Sequence, residues 1–129
     1  MDAICLKGKV FSGKGEGAEF LNLPWVRKQI KEKLGFTPYA GTLNVKLHKD
    51  SINLRKVLTS ARGIKILPQP RYCRGKLFKA CLMGTVVCAV VVPEVSGYPE
   101  DVIEVVASVN LREKLQLFDG DLVDVKIML

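Results

Sequence analysis

The sequence is poor in features that define several functional classes. Only nine of its 129 residues are aromatic (five Phe, three Tyr and one Trp), and none of them alternate with basic residues over a long stretch. This scarcity weakens the case for a nucleic-acid platform that binds bases by stacking. The single histidine, His48, leaves no Ser-His-Asp or Cys-His arrangement for nucleophilic catalysis. We expect His48 to lie on the surface.

Paired cysteines and long apolar runs are also missing. None of the four cysteines (Cys5, Cys73, Cys81 and Cys88) belongs to a CxxC pair, which argues against a zinc site and favours buried, reduced thiols. The longest apolar stretch, Val86 to Pro93, is far too short to span a bilayer. The N-terminus has no apolar segment typical of a secretory signal. We therefore expect a cytoplasmic protein with no membrane partner.

Positive charge is what the chain has in excess. It carries 20 Lys and Arg against 13 Asp and Glu, a net charge of +7, and 48% of its residues are hydrophobic. The apolar share is enough for a folded core. A basic balance favours anionic partners such as nucleic acid, anionic lipid or phosphorylated small molecules, and does not choose among them.

Periodicity and turn residues predict a mainly β chain. Strands are predicted at 4–11, 42–48, 64–67, 76–83, 85–92, 102–107 and 122–129. A helix is predicted at 23–34, with Asn22 as its N-cap and Gly35 as its stop. Shorter helices are expected at 52–58, which could instead be irregular, and at 110–117. Strands outnumber helices without regular alternation, so a closed or nearly closed β-barrel with helical insertions fits best.

Gly84 and Thr85 are predicted to form the turn of a hairpin. A two-residue turn there would place Cys81 and Cys88 directly opposite each other, which makes a cross-strand disulfide geometrically conceivable. Reduced thiols remain the preferred interpretation. The second arm of the hairpin is continuously apolar, which predicts that both of its faces are covered.

The first candidate binding element is a glycine-rich segment after the first strand, Gly13-Lys14-Gly15-Glu16-Gly17. Glycine at every second position lets backbone N–H groups approach and surround a phosphate, and Lys14 adds a positive charge. The segment, predicted as a loop from Ser12 to Gly17, is neither a P-loop nor a GxGxxG motif. Taken alone it is more typical of a flexible hairpin loop.

Two further elements carry polar groups suited to a nucleotide. Thr42 and Asn44 lie two residues apart in a strand and present two neutral oxygens on one face. Such a pair suits a magnesium ion that takes its other ligands from phosphates. Asn110 to Glu113 begin a predicted helix with Asn110 as its N-cap, and N–H groups there can meet a base edge or a phosphate. A solvated strand face and an ordinary helix cap would explain the same residues.

Glu104 is an acidic residue inside the apolar strand VIEVV. If it is buried, it is suited to accept a proton or a hydrogen bond. If the strand is amphipathic, Glu104 faces outward together with Val102 and Val106. The sequence does not decide between these interpretations.

Taken in order, these segments resemble one family. SGKGEGAEFLNLP, LGFTPYAGTLNVKL and the long C-terminal VVCAVVVPEVSGYPEDVIEVVASVNLREKLQLFDGDLVDVKI resemble the archaeal CTP-dependent riboflavin kinases. The specific pieces are G-x-G-E-G, L-G-F-x-P-Y-x-G-T-L-N and L-R-E-x-x-x-L-x-D-G-D. The resemblance covers nearly the whole chain and is poorest at residues 50–80. It implies a six-stranded cradle-loop β-barrel with short helical insertions, and an enzyme that converts riboflavin and CTP into FMN and CDP.

The resemblance also implies the site residues. Thr42 and Asn44 would ligate Mg²⁺, and Ser96 and Glu104 would contact the flavin, with Glu104 orienting the 5′-hydroxyl or taking its proton. The residues that would bind the nucleotide are Gly13, Lys14, Gly15, Glu16, Gly17, Ala18, Glu19, Asn110, Leu111, Arg112 and Glu113. Position 110 is Asn where the family pattern leads us to expect Lys, and the loop around Ser96 differs in detail.

Some members of that family carry an N-terminal helix-turn-helix domain. This chain begins at its first strand, so we expect a single domain, 1–129, without such an extension. We expect a monomer that acts on riboflavin and CTP and has no nucleic-acid partner. The main alternative is a basic nucleic-acid-binding β-barrel without catalysis. A third possibility is a non-catalytic module that binds flavin or nucleotide.

Overall fold

A computed structural model of the chain describes residues 2–13, 16–67, 75–94 and 96–129, with residues 16–18 described by their backbone alone. Within these ranges the chain forms seven strands and four helices. In chain order they are β1 (Ala3–Phe11), α1 (Glu16–Leu21), α2 (Pro24–Leu34), β2 (Leu43–Leu47), α3 (Lys49–Ser60), β3 (Ile64–Ile66), β4 (Gly75–Leu82), β5 (Val86–Pro93), β6 (Val102–Val106), α4 (Leu111–Leu115) and β7 (Leu122–Met128).

Six strands close into an antiparallel barrel. They are hydrogen-bonded in the order β4-β5-β6-β2-β1-β7, and β7 returns to the second half of β4. The short strand β3 pairs with the first half of β4. The predicted β-barrel with helical insertions is confirmed, and each strand agrees with its prediction to within one residue at either end. None of the helices in this part of the chain has the length and apolar character needed to cross a membrane.

Apolar side chains form two clusters, one inside the barrel and one outside it. Strands β1, β2 and β7 show the alternating burial expected when one face packs inward, and their inward residues share a core with those of β4, β5 and β6. Outside, α1 and α2 pack against β3 to β6 through a cluster that includes Leu21, Ile30, Val91 and Val106. Both faces of β5 are therefore covered, as its apolar run predicted.

The first two helices correct two predictions. Glu16 and Gly17, predicted as loop, are the first residues of α1, because packing of the following Leu21 in the outer cluster stabilises a helix that composition does not favour. Asn22 is not the N-cap of α2. The cap is Leu23, since Pro24 has the fixed φ that suits the first helical position.

Helix α3 is longer than the segment predicted at 52–58. Its buried residues are Ser51, Arg55 and Leu58, a helical spacing that a hydrophobic pattern hides because two of the three are polar. Ser51 accepts a hydrogen bond from the Lys7 N–H (2.9 Å), and the Arg55 Nε donates to the Val102 carbonyl (2.8 Å). These bonds tie α3 to β1 and to the start of β6.

The β4–β5 hairpin shows that the predicted opposition of the cysteines is wrong. Its loop is 83–85, one residue longer than predicted, because the chain reverses with positive φ at the first two of these residues. The register therefore shifts by one, and Cys81 stands opposite Val87 rather than Cys88. Such a shift turns the two thiols to opposite faces, and both are free. Burial raises the pKa of Cys88 to about 12, while Cys73 lies outside the described residues.

Gly8 lies where the backbone of β1 passes close to that of β2. A Cβ built at Gly8 would overlap the backbone carbonyl of Lys46, which no side-chain rearrangement relieves. We expect Gly8→Ala to lower the free energy of unfolding by about 2 kcal/mol or more, measured by urea titration. Gly41→Ala is the matched control, because its Cβ would meet the Tyr39 ring at an ordinary 3.5 Å. Equal unfolding free energies for the two variants would contradict this close approach.

Candidate functional site

The site is built around Glu104 on β6. Its side chain points away from the barrel core, opposite to its neighbours Ile103 and Val105, yet it is only 4% exposed. Its two carboxylate oxygens accept hydrogen bonds from the Thr42 hydroxyl (3.0 Å) and from the Tyr98 hydroxyl (2.6 Å). Glu104 is therefore outward-facing and buried at once, so each sequence interpretation was correct in part.

Tyr98 and Arg55 extend this hydrogen-bonded group, although no sequence pattern points to either of them. The guanidinium carbon of Arg55 lies 5.7 Å from the centre of the Tyr98 ring, a cation–π arrangement. Burial lowers the pKa of the Arg55 guanidinium, and the nearby Tyr98, Glu100 and Asp101 partly oppose that change. The buried guanidinium of Arg55 therefore packs against the ring whose hydroxyl donates to Glu104.

The two hydrogen-bond partners of Glu104 line two different clefts. The first cleft, of about 170 Å³, includes Thr42 and the start of α4 in its lining. The second cleft, of about 530 Å³, includes Arg55, Ser96 and Tyr98. Since Thr42 lines the first and Tyr98 the second, each oxygen of the carboxylate is hydrogen-bonded to a wall of a different cleft.

The two predicted magnesium ligands share the outer face of the barrel with Glu104. Asn44 pairs directly with Glu104 across β2 and β6, and Thr42 donates its hydroxyl hydrogen to the carboxylate. A hydroxyl oriented in this way keeps its lone pairs free to face a cation. The hydroxyl and amide oxygens of Thr42 and Asn44 are therefore a neutral donor pair of the kind that fits magnesium. His48, further along the strand, is exposed as predicted.

The glycine-rich segment reaches this face at Gly13. A Cβ built on Gly13 would lie 2.7 Å from the Asn44 Nδ2 and 2.9 Å from its Oδ1, so the backbone passes directly over the amide, and a side chain here would require that amide to move. Of the other predicted residues here, Lys14 and Gly15 lie outside the described residues, Glu16, Gly17 and Ala18 have a described backbone in α1, and Glu19 is exposed.

The start of α4 lies in the first cleft together with Thr42. Asn110 is the N-cap, as predicted, because its Oδ1 accepts from the Glu113 N–H (3.3 Å). Its Nδ2 donates to the Tyr39 hydroxyl (3.1 Å). The Leu111 side chain is 4% exposed and belongs to the barrel core, so this residue offers a ligand its backbone rather than its side chain.

Arg112 turns towards the end of β1. Its guanidinium donates to the Phe11 carbonyl (3.1 Å) and to the Asp119 carboxylate (2.7 Å). The same carboxylate accepts from the Ser12 hydroxyl (2.8 Å). The hydrogen bonds from Arg112 and Ser12 hold the pKa of the Asp119 carboxyl below its usual range. The base of the glycine-rich segment and α4 therefore share one carboxylate.

Ser96 is exposed and lies in the second cleft beside Tyr98. Tyr98, in the lining of the same cleft, donates its hydroxyl hydrogen to Glu104, the other residue predicted to contact the flavin. The described residues thus bring Gly13, Thr42, Asn44 and Glu104 to one face, with residues 110–112 across the first cleft and Ser96 in the second.

Comparison with known proteins gives a consistent result. Residues 10–127 match the sequence model of the CTP-dependent riboflavin kinase family, described as a domain of unknown function, DUF120. The chain is 42% identical to a riboflavin kinase of Archaeoglobus fulgidus and 46% identical to one of Pyrobaculum aerophilum, in each case over 98% of this chain. It spans 55% and 62% of those two proteins. A riboflavin kinase of Sulfurisphaera tokodaii is 40% identical over 96% of the chain and 95% of its own length.

Proposed function

The chain belongs to the CTP-dependent riboflavin kinase family, and from this premise we propose that it transfers the γ-phosphoryl group of CTP to the 5′-hydroxyl of riboflavin, giving FMN and CDP. The observation that supports this most strongly is the Glu104 carboxylate, hydrogen-bonded to one wall of each cleft. A kinase needs such a junction, because the phosphoryl group passes directly from one bound substrate to the other.

The nucleotide occupies the first cleft in this proposal. Thr42 and α4 border the cleft, and the glycine-rich segment enters over Asn44 on the same face, where its backbone N–H groups suit phosphate oxygens. Tyr39 gives the cleft an aromatic wall: it is 44% exposed, and its hydroxyl accepts a hydrogen bond from Asn110. A base can stack on such a ring.

Thr42 and Asn44 would hold the magnesium ion that accompanies the triphosphate. Two neutral oxygens suit an ion whose remaining ligands include negatively charged phosphates. When bound, the ion would offset the charge that develops on the transferring phosphoryl group. The hydrogen bond from Thr42 to Glu104 fixes the direction of the hydroxyl before any ligand arrives.

The flavin occupies the second cleft, and its ribityl chain extends towards Glu104. Ser96 and Tyr98 line this cleft. The carboxylate accepts one hydrogen bond on each oxygen, and a carboxylate has about four lone-pair positions, so it can accept another from the 5′-hydroxyl. There Glu104 orients the hydroxyl oxygen towards the γ-phosphorus and takes its proton as the new O–P bond forms and the bond from that phosphorus to the departing CDP breaks.

The proposal is tested by incubating the purified protein with riboflavin, magnesium and one nucleotide at a time, with FMN measured by chromatography. We expect FMN with CTP and far less with UTP, GTP or ATP. Faster turnover with ATP would contradict the assigned donor, and no FMN with any nucleotide would contradict the activity. Salt-sensitive binding of duplex DNA without flavin binding would instead favour the basic nucleic-acid-binding alternative.

A further inference from the structure

We propose that Asp119 is a positioning residue for the nucleotide, acting through Ser12 and Arg112 on the entry to the glycine-rich segment. This inference rests on the proposed function, since it concerns the site at which CTP would bind. Asp119 lines neither of the two clefts. Its effect on a bound nucleotide must therefore pass through the residues that it contacts.

Four residues form a closed ring at the end of β1. Arg112 donates to the Phe11 carbonyl at 3.1 Å and to Asp119 at 2.7 Å, and Ser12 donates to Asp119 at 2.8 Å. The peptide bond between Phe11 and Ser12 completes the ring. Because the carbonyl before the peptide bond and the side chain after it are both hydrogen-bonded, these contacts restrain the backbone that leads into Gly13.

The turn that carries Asp119 is itself held by hydrogen bonds to the main chain. The Gly120 N–H donates to the Val10 carbonyl (2.8 Å), and the Val10 N–H donates to the Asp121 carbonyl (2.9 Å). The Asp121 carboxylate in turn accepts from the Phe118 N–H (2.8 Å). The turn at 118–121 is therefore fastened to β1 by backbone hydrogen bonds, and it provides a fixed point from which Asp119 holds Ser12.

A shift of the backbone at Ser12 would directly change the geometry of the candidate site. The next residue, Gly13, lies so close to Asn44 that even a Cβ would fall 2.7 Å from the amide. Movement of the chain here either presses on a predicted magnesium ligand or draws the segment away from it. The other partner of Asp119, Arg112, lines the first cleft, so both partners of the carboxylate adjoin the proposed nucleotide site.

The charge of Asp119 matters as well as its shape. Both of its partners donate hydrogens, so a carboxylate satisfies them with acceptors alone. In Asp119→Asn, the remaining oxygen can still accept from Arg112 and the NH₂ group can donate to the Ser12 oxygen, but the negative charge that pairs with the guanidinium is lost. We therefore expect the Asn variant to bind CDP more weakly than the wild type because it lacks this charge.

The test measures CDP affinity and riboflavin affinity separately by calorimetry, together with KM for CTP and kcat. For Asp119→Ala and Asp119→Asn we expect the Kd for CDP and the KM for CTP to rise about tenfold, while the Kd for riboflavin changes less than twofold. Asp124→Asn, which removes the same charge from β7, is the matched control and should leave both affinities unchanged. Unchanged CDP affinity in the Asp119 variants, or equal losses of both affinities, would overturn the inference.

If the Asp119 variants do not fold, Ser12→Ala provides the test instead. It removes only one exposed hydroxyl, so the fold should persist. We expect it to weaken CDP binding several-fold. Adding it to Asp119→Ala should cause no further loss, since the Ser12 hydroxyl acts through its hydrogen bonding to the Asp119 carboxylate, which is already absent. Normal CDP affinity in Ser12→Ala, or fully additive losses, would count against the inference. A wild-type protein without kinase activity would overturn the proposed function, whereas an active wild type with unaffected Asp119 variants would overturn the inference alone.

Discussion

Replacing Glu104 with Gln is expected to lower kcat by about 10²–10⁴-fold, the range that a general base contributes. The amide has the shape of the carboxylate, so the buried side chain still fits. It cannot take the proton of the attacking hydroxyl, and its NH₂ group replaces one of the oxygens that accept from Thr42 and Tyr98. Single-turnover formation of FMN at saturating CTP and riboflavin measures the effect without interference from product release.

Two further variants show whether such a loss belongs to the carboxylate. Tyr98→Phe removes one hydrogen bond to Glu104 but keeps the ring against Arg55, and should cause a smaller loss of kcat. Glu100→Gln neutralises an exposed acidic residue in the lining of the second cleft, and should have little effect. A Glu104→Gln protein with wild-type kcat would contradict the role assigned to Glu104.

The double variant Thr42→Ala with Asn44→Ala is expected to lower turnover at least about 100-fold, equivalent to ~2.7 kcal/mol of transition-state stabilisation. Both side chains lie on the outer face of the barrel and are partly exposed, so the fold should persist. Loss of two neutral oxygen ligands should raise the magnesium concentration needed for half-maximal activity. A magnesium titration of FMN formation measures both effects.

The control for the double variant is Thr42→Ser, which keeps the hydroxyl that donates to Glu104. It should retain most of the activity and the magnesium dependence of the wild type. CDP affinity measured without magnesium should be similar in all three proteins, because the removed groups are proposed to act through the ion. Wild-type activity and magnesium dependence in the double variant would contradict the metal assignment.

The strands could be predicted because their burial follows a local period. Leu43, Val45 and Leu47 alternate with polar residues, and the structure buries all three. The length of helix α3 was underestimated because its buried face carries two polar residues, Ser51 and Arg55. Their polar groups are satisfied by hydrogen bonds to residues far away in the sequence. A local hydrophobic pattern does not show which distant residues will hydrogen-bond to a polar side chain.

The candidate site was predictable only in part, for the same reason. Thr42 and Asn44 were recognisable as a pair on one strand face, and the motif order connected them with Gly13 and Glu104. Tyr98 had no comparable signal, because it lies in an irregular segment and acquires its place from contacts with two separate elements. The opposition of the cysteines failed because a hairpin register depends on the loop length, which the residues at the turn did not specify.

The position of the Glu104 carboxylate also has a thermodynamic consequence. One carboxylate oxygen is hydrogen-bonded to Thr42 in the first cleft, and the other to Tyr98 in the second. A ligand in either cleft therefore changes the surroundings of a carboxylate that is also bonded to the lining of the other cleft. If a bound nucleotide strengthens flavin binding by some factor, bound flavin must strengthen nucleotide binding by the same factor. A single buried acid can in this way make the two substrates cooperative ligands before any phosphoryl group moves.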